Sequence, residues 1–371
     1  MTRHSVVLSL CLVFALFFTP APAQGARPDN RMRLALMVGG PFETYAAVFQ
    51  GLLEGLAERG LIASGDVPAP DRSGDLAPMW AWAHADAGGD RLEFAGDAFY
   101  SAGWEQEKRA AVRQRLLDRI RERGDIDCIL AFGTWAGQDT ATADIDVPVL
   151  ILSVSNAVEA GIILSPEDSG RDNLLALIEE ERYARQIRIF HDSFAFRKLG
   201  IVYEETLSGR SSISLAEIER ETLSLGAELL HCSDFFDIGD TDAAADRLKN
   251  CHERLVRGGA DAVYITHNAG LSPGRTADVL APLTEAFLPT FSQRASAVMR
   301  GALMGVSGTY LPDQGRYGAS ILAAILSGSK PRDLSQRYEG TLGLAVNLET
   351  AARIGWNIPL EILAAVDEIY Q

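Results

Sequence analysis

Two short apolar runs, Cys128–Phe132 and Val147–Ser153, constrain this chain more than any other feature. Each is too short for a helix and ends abruptly in small polar residues, Gly133-Thr134 after the first and Ser155-Asn156 after the second. Strands buried on both faces read as continuous apolar runs, so both fit a parallel sheet covered by helices on either side. In such sheets ligands bind beyond the carboxyl ends of the strands, where helix N-termini present free N–H groups. The polar tips are therefore where function is expected.

Strand and helix patterns alternate along the chain, as βαβ units do. The first half reads as strand Arg33–Val38, helix Glu43–Arg59 with Val48, Leu52 and Leu56 on one face, strand Leu92–Ala95 and helix Trp104–Arg123. Residues 62–89, rich in Pro, Gly, Ala and Asp, read as a long surface loop or insertion. The second half reads as helix Tyr183–His191, strand Leu199–Val202, helix Ser214–Leu225, strand Glu228–His231 and helix Ala243–Arg257. Strand Ala262–Ile265 and a last core strand at Leu288–Phe291 complete it. A turn at Leu311-Pro312-Asp313, a helix Tyr317–Ser327, a strand Leu342–Val346 and a closing helix follow.

The expected fold class is α/β: two Rossmann-like lobes with parallel sheets joined by a hinge. Lobe one takes residues 32–160 plus about 311–340, and lobe two takes 161–291 plus about 341–350. Residues 351–371 form a C-terminal helix, and the chain crosses between lobes near Gly161, Ser292 and Tyr310. A chain of this length exceeds one typical core, which agrees with two lobes.

Residues 1–23 read as a secretory signal rather than as part of the fold. Arg3 and His4 precede an apolar run from Ser5 to Phe18, followed by Thr19-Pro20-Ala21-Pro22-Ala23 with cleavage after Ala23. That run falls short of the ~20 residues a membrane-spanning helix needs. The mature chain is expected in the periplasm, soluble and without membrane insertion. The net charge of −16 over the full chain argues against nucleic acid or an anionic membrane as partner. Cys128 sits in an apolar strand as a buried thiol, while Cys232 and Cys251 flank one strand–helix unit. Export permits a disulfide between them, but sequence does not supply their distance.

The order of several segments resembles one family. These are Phe49-Gln50-Gly51-Leu52, Gly133-Thr134-Trp135-Ala136-Gly137-Gln138, Asp146-Val147-Pro148-Val149 and Ser155-Asn156-Ala157-Val158. Lys198-Leu199-Gly200-Ile201-Val202-Tyr203, Gly315-Arg316-Tyr317-Gly318, Ile325-Leu326-Ser327-Gly328 and Val346-Asn347-Leu348-Glu349-Thr350-Ala351 continue the match. Together they resemble ABC-transporter solute-binding proteins of the type I periplasmic-binding fold, in the branch that includes tryptophan- and tyrosine-type amino-acid binders. The resemblance implies a small-molecule ligand held between two lobes, an ABC permease and its ATPase as partners, no cofactor, and a monomer. The chain departs from the family at ligand positions. Ser155-Asn156-Ala157-Val158 replaces a Thr-Asp-Pro-Val turn, Thr266-His267-Asn268 stands where an aspartate is common, and Ser211-Ser212 replaces an Asn-Ser pair.

The candidate ligand contacts are Phe42, Glu43, Thr134, Trp135, Ser155 and Asn156 from lobe one, Ser211, Ser212, His267 and Asn268 from lobe two, and Tyr310 near a crossover. An enzyme is the weaker reading. The six histidines are scattered, His252-Glu253 lacks the second histidine of a zinc-protease helix because Val256 stands there, and Gly305-Val306-Ser307-Gly308 lacks the last glycine of a nucleophile elbow. A periplasmic sensor that docks on a signalling receptor is the alternative to the carrier. Without the family's aspartates, the expected ligand is a small organic solute with an anionic or hydrogen-bonding end, an aromatic amino acid being second.

Overall fold

The apolar runs build the first sheet. The computed structural model describes residues 31–63, 65–70, 73–236 and 240–371, so the expected signal segment lies outside the described residues. Strands β1 (Met32–Val38), β2 (Leu92–Ser101), β3 (Cys128–Phe132), β4 (Val149–Leu152) and β5 (Leu174–Ala176) pair in the order β2-β1-β3-β4-β5. Every pair is parallel. β3 and β4 are buried along their whole length, because helices cover both faces. Helices α1 (Glu43–Glu58), α2 (Ala77–Asp86), α3 (Gln106–Arg123) and α4 (Gly133–Thr140) belong to this lobe.

The second sheet contains β6 (Lys198–Tyr203), β7 (Glu228–Ser233), β8 (Ala262–Ile265), β9 (Thr290–Ser292), β10 (Met304–Val306), β11 (Leu344–Asn347) and β12 (Glu368–Tyr370). Their order is β12-β11-β10-β9-β8-β6-β7, and β10–β11 pair antiparallel while the others are parallel. Helices α5 (Arg182–Phe194), α6 (Leu207–Ile213), α7 (Leu215–Ser224), α8 (Thr241–Arg257), α9 (Thr276–Glu285) and α10 (Ala295–Met299) connect the first of these strands. Then come α11 (Leu311–Leu326), α12 (Leu348–Arg353) and α13 (Leu360–Ala365).

α11 returns to the first lobe. Ala319, Ile321, Leu322 and Ile325 bury into the same core as Leu34, Leu52 and Leu130, each large side chain contributing about 1.5–3 kcal/mol. The approach to α1 is close enough that only hydrogen fits at two positions. A Cβ on Gly51 would sit 1.9 Å from the Pro312 carbonyl oxygen, and one on Gly315 would sit 2.0 Å from that of Val48.

Several expectations are corrected. β5 pairs with β4, so the chain leaves the first sheet after Ala176 rather than near Gly161; its three residues carry no readable period. β9 and β10 lie in one sheet, so no crossing occurs at Ser292. The later crossings fall between Val306 and Leu311 and between Leu326 and Leu344, and the crossing strands bond to each other where Ile178 meets Gln336 and Tyr338. Residues 351–371 form two short helices and an edge strand instead of one helix.

Residues 62–89 are not merely a surface loop: α2 buries Met79, Trp80 and Ala83, and the Trp80 indole donates to the Ala95 carbonyl at 3.0 Å. Leu311-Pro312-Asp313 is the first turn of α11, where proline loses no helical hydrogen bond. Cys232 and Cys251 are joined in a disulfide with Cα atoms 5.7 Å apart, tying β7 to α8. Cys128 is free and buried, and burial pushes its thiol up to about 12.

Candidate functional site

Strand order reverses between β1 and β3 in one sheet and between β6 and β8 in the other. Such switch points open a crevice at the strands' carboxyl ends. Here the two crevices face each other across a cavity of about 510 Å³, lined by the loops after β1, β2 and β3 on one side and after β6, β7, β8 and β9 on the other.

The first wall is aromatic. Phe42 precedes α1 in extended backbone, with its ring edge-on to Tyr45 at 4.9 Å between centroids. α4 starts at Gly133, whose φ of 82° places its Cα where a Cβ would lie 1.7 Å from the Tyr45 hydroxyl; a side chain there would evict the tyrosine. Thr134 and Trp135 follow in the first turn and are nearly buried. Trp135 meets Trp104 edge-on at 5.4 Å, and the Arg109 guanidinium lies 4.8 Å from its ring while also bonding its carbonyl and Asp139. Burial raises the Asp139 carboxyl, and Arg109 opposes the shift. Trp104 lies over Gly39-Gly40, where any Cβ would strike its ring, and its indole donates to the Pro41 carbonyl at 2.8 Å.

The second wall is more polar. Ser212 of α6 donates to the Gly209 carbonyl, and Asn268 Oδ1 accepts from the Gly270 N–H at 2.8 Å. The His267 N–H donates to Gln293, whose amide in turn holds the Ile213 carbonyl. The His267 ring packs on Phe42 from the other lobe at 4.3 Å. Burial, and then the charge of Arg294, pushes His267 down to about 3, so the ring is neutral at physiological pH; its Nδ1 is buried without a partner. Arg294 crosses the cleft to Glu43, with Nε 3.0 Å from Oε1, and Ser296 donates to the same oxygen at 2.6 Å. Arg300 bonds the Ser296 carbonyl.

The structure thus brings Phe42, Glu43, Thr134, Trp135, Ser212, His267 and Asn268 onto one cavity. It puts the other four candidates elsewhere. Ser155 bonds the Tyr183 side chain at the crossing segment. Asn156 donates to Ser214 at 3.1 Å and to Glu159. Ser211 is fully buried and donates to the Leu207 carbonyl. The Tyr310 hydroxyl donates to Asp367 at 2.9 Å, which raises its pKa, and its ring faces a separate small cavity at the crossing strands.

A family model described as ABC transporter substrate binding protein matches residues 98–370. The chain belongs to that family. The fold of this substrate-binding protein is similar to that of a conserved domain protein from Vibrio cholerae, at TM-score 0.69 and 19% identity, covering 91% of this chain and 99% of that one. It is also similar to an ABC domain from Streptococcus pneumonia in complex with L-Trp, at TM-score 0.67 and 16% identity, with the same coverage. A ligand-free, open substrate-binding protein with adhesive properties from Clostridium difficile gives TM-score 0.59 at 15% identity, covering 92% and 99%. Comparison with curated protein sequences finds no match.

Trp104, Phe236, Arg294 and Arg300 also line the cavity of this binding protein, and none of them is among the contacts expected from sequence. Trp104 carried a signal, since it follows Gly103 at the end of a strand. Arg294 and Arg300 follow a three-residue strand, too short for its tip to be located. Among the described residues no group of three or more His, Cys, Asp or Glu is placed to hold a metal, and no helix is long and apolar enough to cross a membrane.

Proposed function

We propose that this protein captures a small organic solute in the cleft between its lobes, outside the cytoplasm, and delivers it to the permease and ATPase of an ABC importer. One observation carries the reading: two switch points face each other around one cavity whose walls come from different lobes. A site assembled from two lobes orders them when ligand binds, and closure then becomes the signal a permease can read. Phe42, Thr134, Trp135, Ser212, His267 and Asn268 are the proposed ligand contacts, with Glu43 holding the closed state. Residues 177–181, 307–310 and 327–343 act as the hinge.

The signal-like residues 1–23 support export, and the Cys232–Cys251 disulfide supports an oxidising compartment. The L-Trp of the pneumococcal neighbour makes an aromatic amino acid one ligand to test. A cavity of about 510 Å³ lies in the range of ordinary small-molecule sites.

A thermal-shift screen of small solutes on the purified protein tests the reading. At least one solute is expected to raise the unfolding temperature by mass action while remaining chemically unchanged. Catalytic consumption of the stabilising solute by the pure protein would contradict it.

A further inference from the structure

We infer that the cleft selects carboxylates bearing an aromatic or other flat apolar body, anchored by Arg300, and disfavours the corresponding amino acids. This rests on the cleft being the solute site and specifies what it takes.

The charge inventory of the wall carries the inference. Three carboxylates line the cavity, Glu43, Asp240 and Glu204, and protein donors bond an oxygen of the first two. Glu43 accepts from Arg294 and Ser296 through one oxygen. Asp240 caps α8 by accepting from the N–H groups of Asp242 and Ala243, both at 3.0 Å. Glu204 also has an interaction partner. An ammonium group leaving water needs a carboxylate, and on this wall it would compete with Arg294 and Ser296 for Glu43 and with the first turn of α8 for Asp240.

The two arginines differ. Arg294 is matched to Glu43 and is largely covered, at 15% side-chain exposure. Arg300 is half-buried on the same wall, and its bond goes to the Ser296 carbonyl, with no carboxylate partner among the described residues. A partly desolvated guanidinium without a counter-charge binds planar anions best, since its N–H fork matches a carboxylate. Opposite it stand Phe42, Trp104 and Trp135, whose rings suit a flat apolar body. His267, neutral and with a bare Nδ1, adds no competing charge.

Calorimetry with three matched probe series decides the matter: 3-phenylpropanoate and indole-3-propanoate, the amino acids L-phenylalanine and L-tryptophan, and the primary amides of the two acids. The acids are expected to bind at least tenfold more tightly than both amides and amino acids. Arg300→Gln is expected to abolish that preference, and Arg300→Lys to restore part of it, with circular dichroism confirming that both variants fold. Amino acids binding as tightly as the acids, and weakened by Glu204→Gln or Asp240→Asn but not by Arg300→Gln, would overturn the inference while leaving cleft capture intact. Acids that bind equally well to wild type and Arg300→Gln would also overturn it, as would binding by none of the probes.

Discussion

Glu43 and Arg294 meet across the cleft with 3.0 Å between Oε1 and Nε, although 251 residues separate them in the chain. One sits at the first turn of α1 and the other just past β9, so the pair exists only while the lobes are together. Its place at the turn after the first strand makes Glu43 an expected ligand contact. In the proposed function it serves instead as a latch, because its Oε1 accepts from both Arg294 and Ser296.

Glu43→Gln should therefore loosen closure without harming either lobe. Because Glu43 and Arg294 both keep some exposure, the coupling measured by a double-mutant cycle with Arg294→Gln should be modest, about 1 kcal/mol. The cycle is read in the affinity for any cleft ligand. Additive effects of the two substitutions would refute the latch.

Acid should weaken the fold through His252. This side chain is fully buried with Nδ1 on the Val279 carbonyl, and burial pushes it down to about 4. A histidine kept neutral in the fold contributes stability that is complete above about pH 6.5 and is lost as pH falls toward 4, because the unfolded chain binds the proton first. Between pH 7.5 and 5 the loss from this group is about 2 kcal/mol. Urea unfolding at the two pH values measures it, and His252→Gln should remove that share of the difference. An unchanged pH difference in the variant would show that other groups are responsible.

How much of this was legible in the sequence depends on how local each signal is. β3, β8 and α1 were readable because an unbroken apolar run or a helical period fits within one segment. α2 was hidden by composition: Ala77-Pro78-Met79-Trp80 lies in a stretch full of Pro, Gly and Asp, yet Trp80 anchors it in the core. Thr134, Trp135 and His267 were found because they follow strands that could be placed. Ser155, Asn156 and Ser211 also follow readable elements. Where they point, however, depends on the β5 crossing and on the α6–α7 joint at Ser214, which adopts φ of 57°. The Glu43–Arg294 pair is long-range, and no local pattern announces it.

Reducing the Cys232–Cys251 bond should destabilise the protein by about 3 kcal/mol, the amount expected for a loop of this span. Denaturant midpoints with and without a thiol reductant give the value, and Cys232→Ala/Cys251→Ala should reproduce it without further response to reductant. Buried Cys128 should contribute nothing to the difference. A midpoint indifferent to reductant would contradict this.

Asn156 should act on closure rather than on the ligand. It donates to Ser214, whose hydroxyl donates to Glu217, and Glu217 accepts the N–H groups of Tyr183 and Ala184 where the chain enters the second lobe. Asn156→Ala should weaken ligand binding about threefold to tenfold by lowering the population of the closed form, with an equal loss for every ligand. Small-angle scattering of the unliganded variant should show a more extended particle. A loss confined to one class of ligand would instead place Asn156 in contact with it.

A solute held between the two lobes needs the cavity to stay open. Ser212→Trp closes it, because the indole fills the space from the second wall without touching either core. With a solute that stabilises the wild-type protein, calorimetry on the variant should show no binding while its own unfolding transition stays cooperative. Binding of that solute at wild-type affinity would show that it sits outside the cleft.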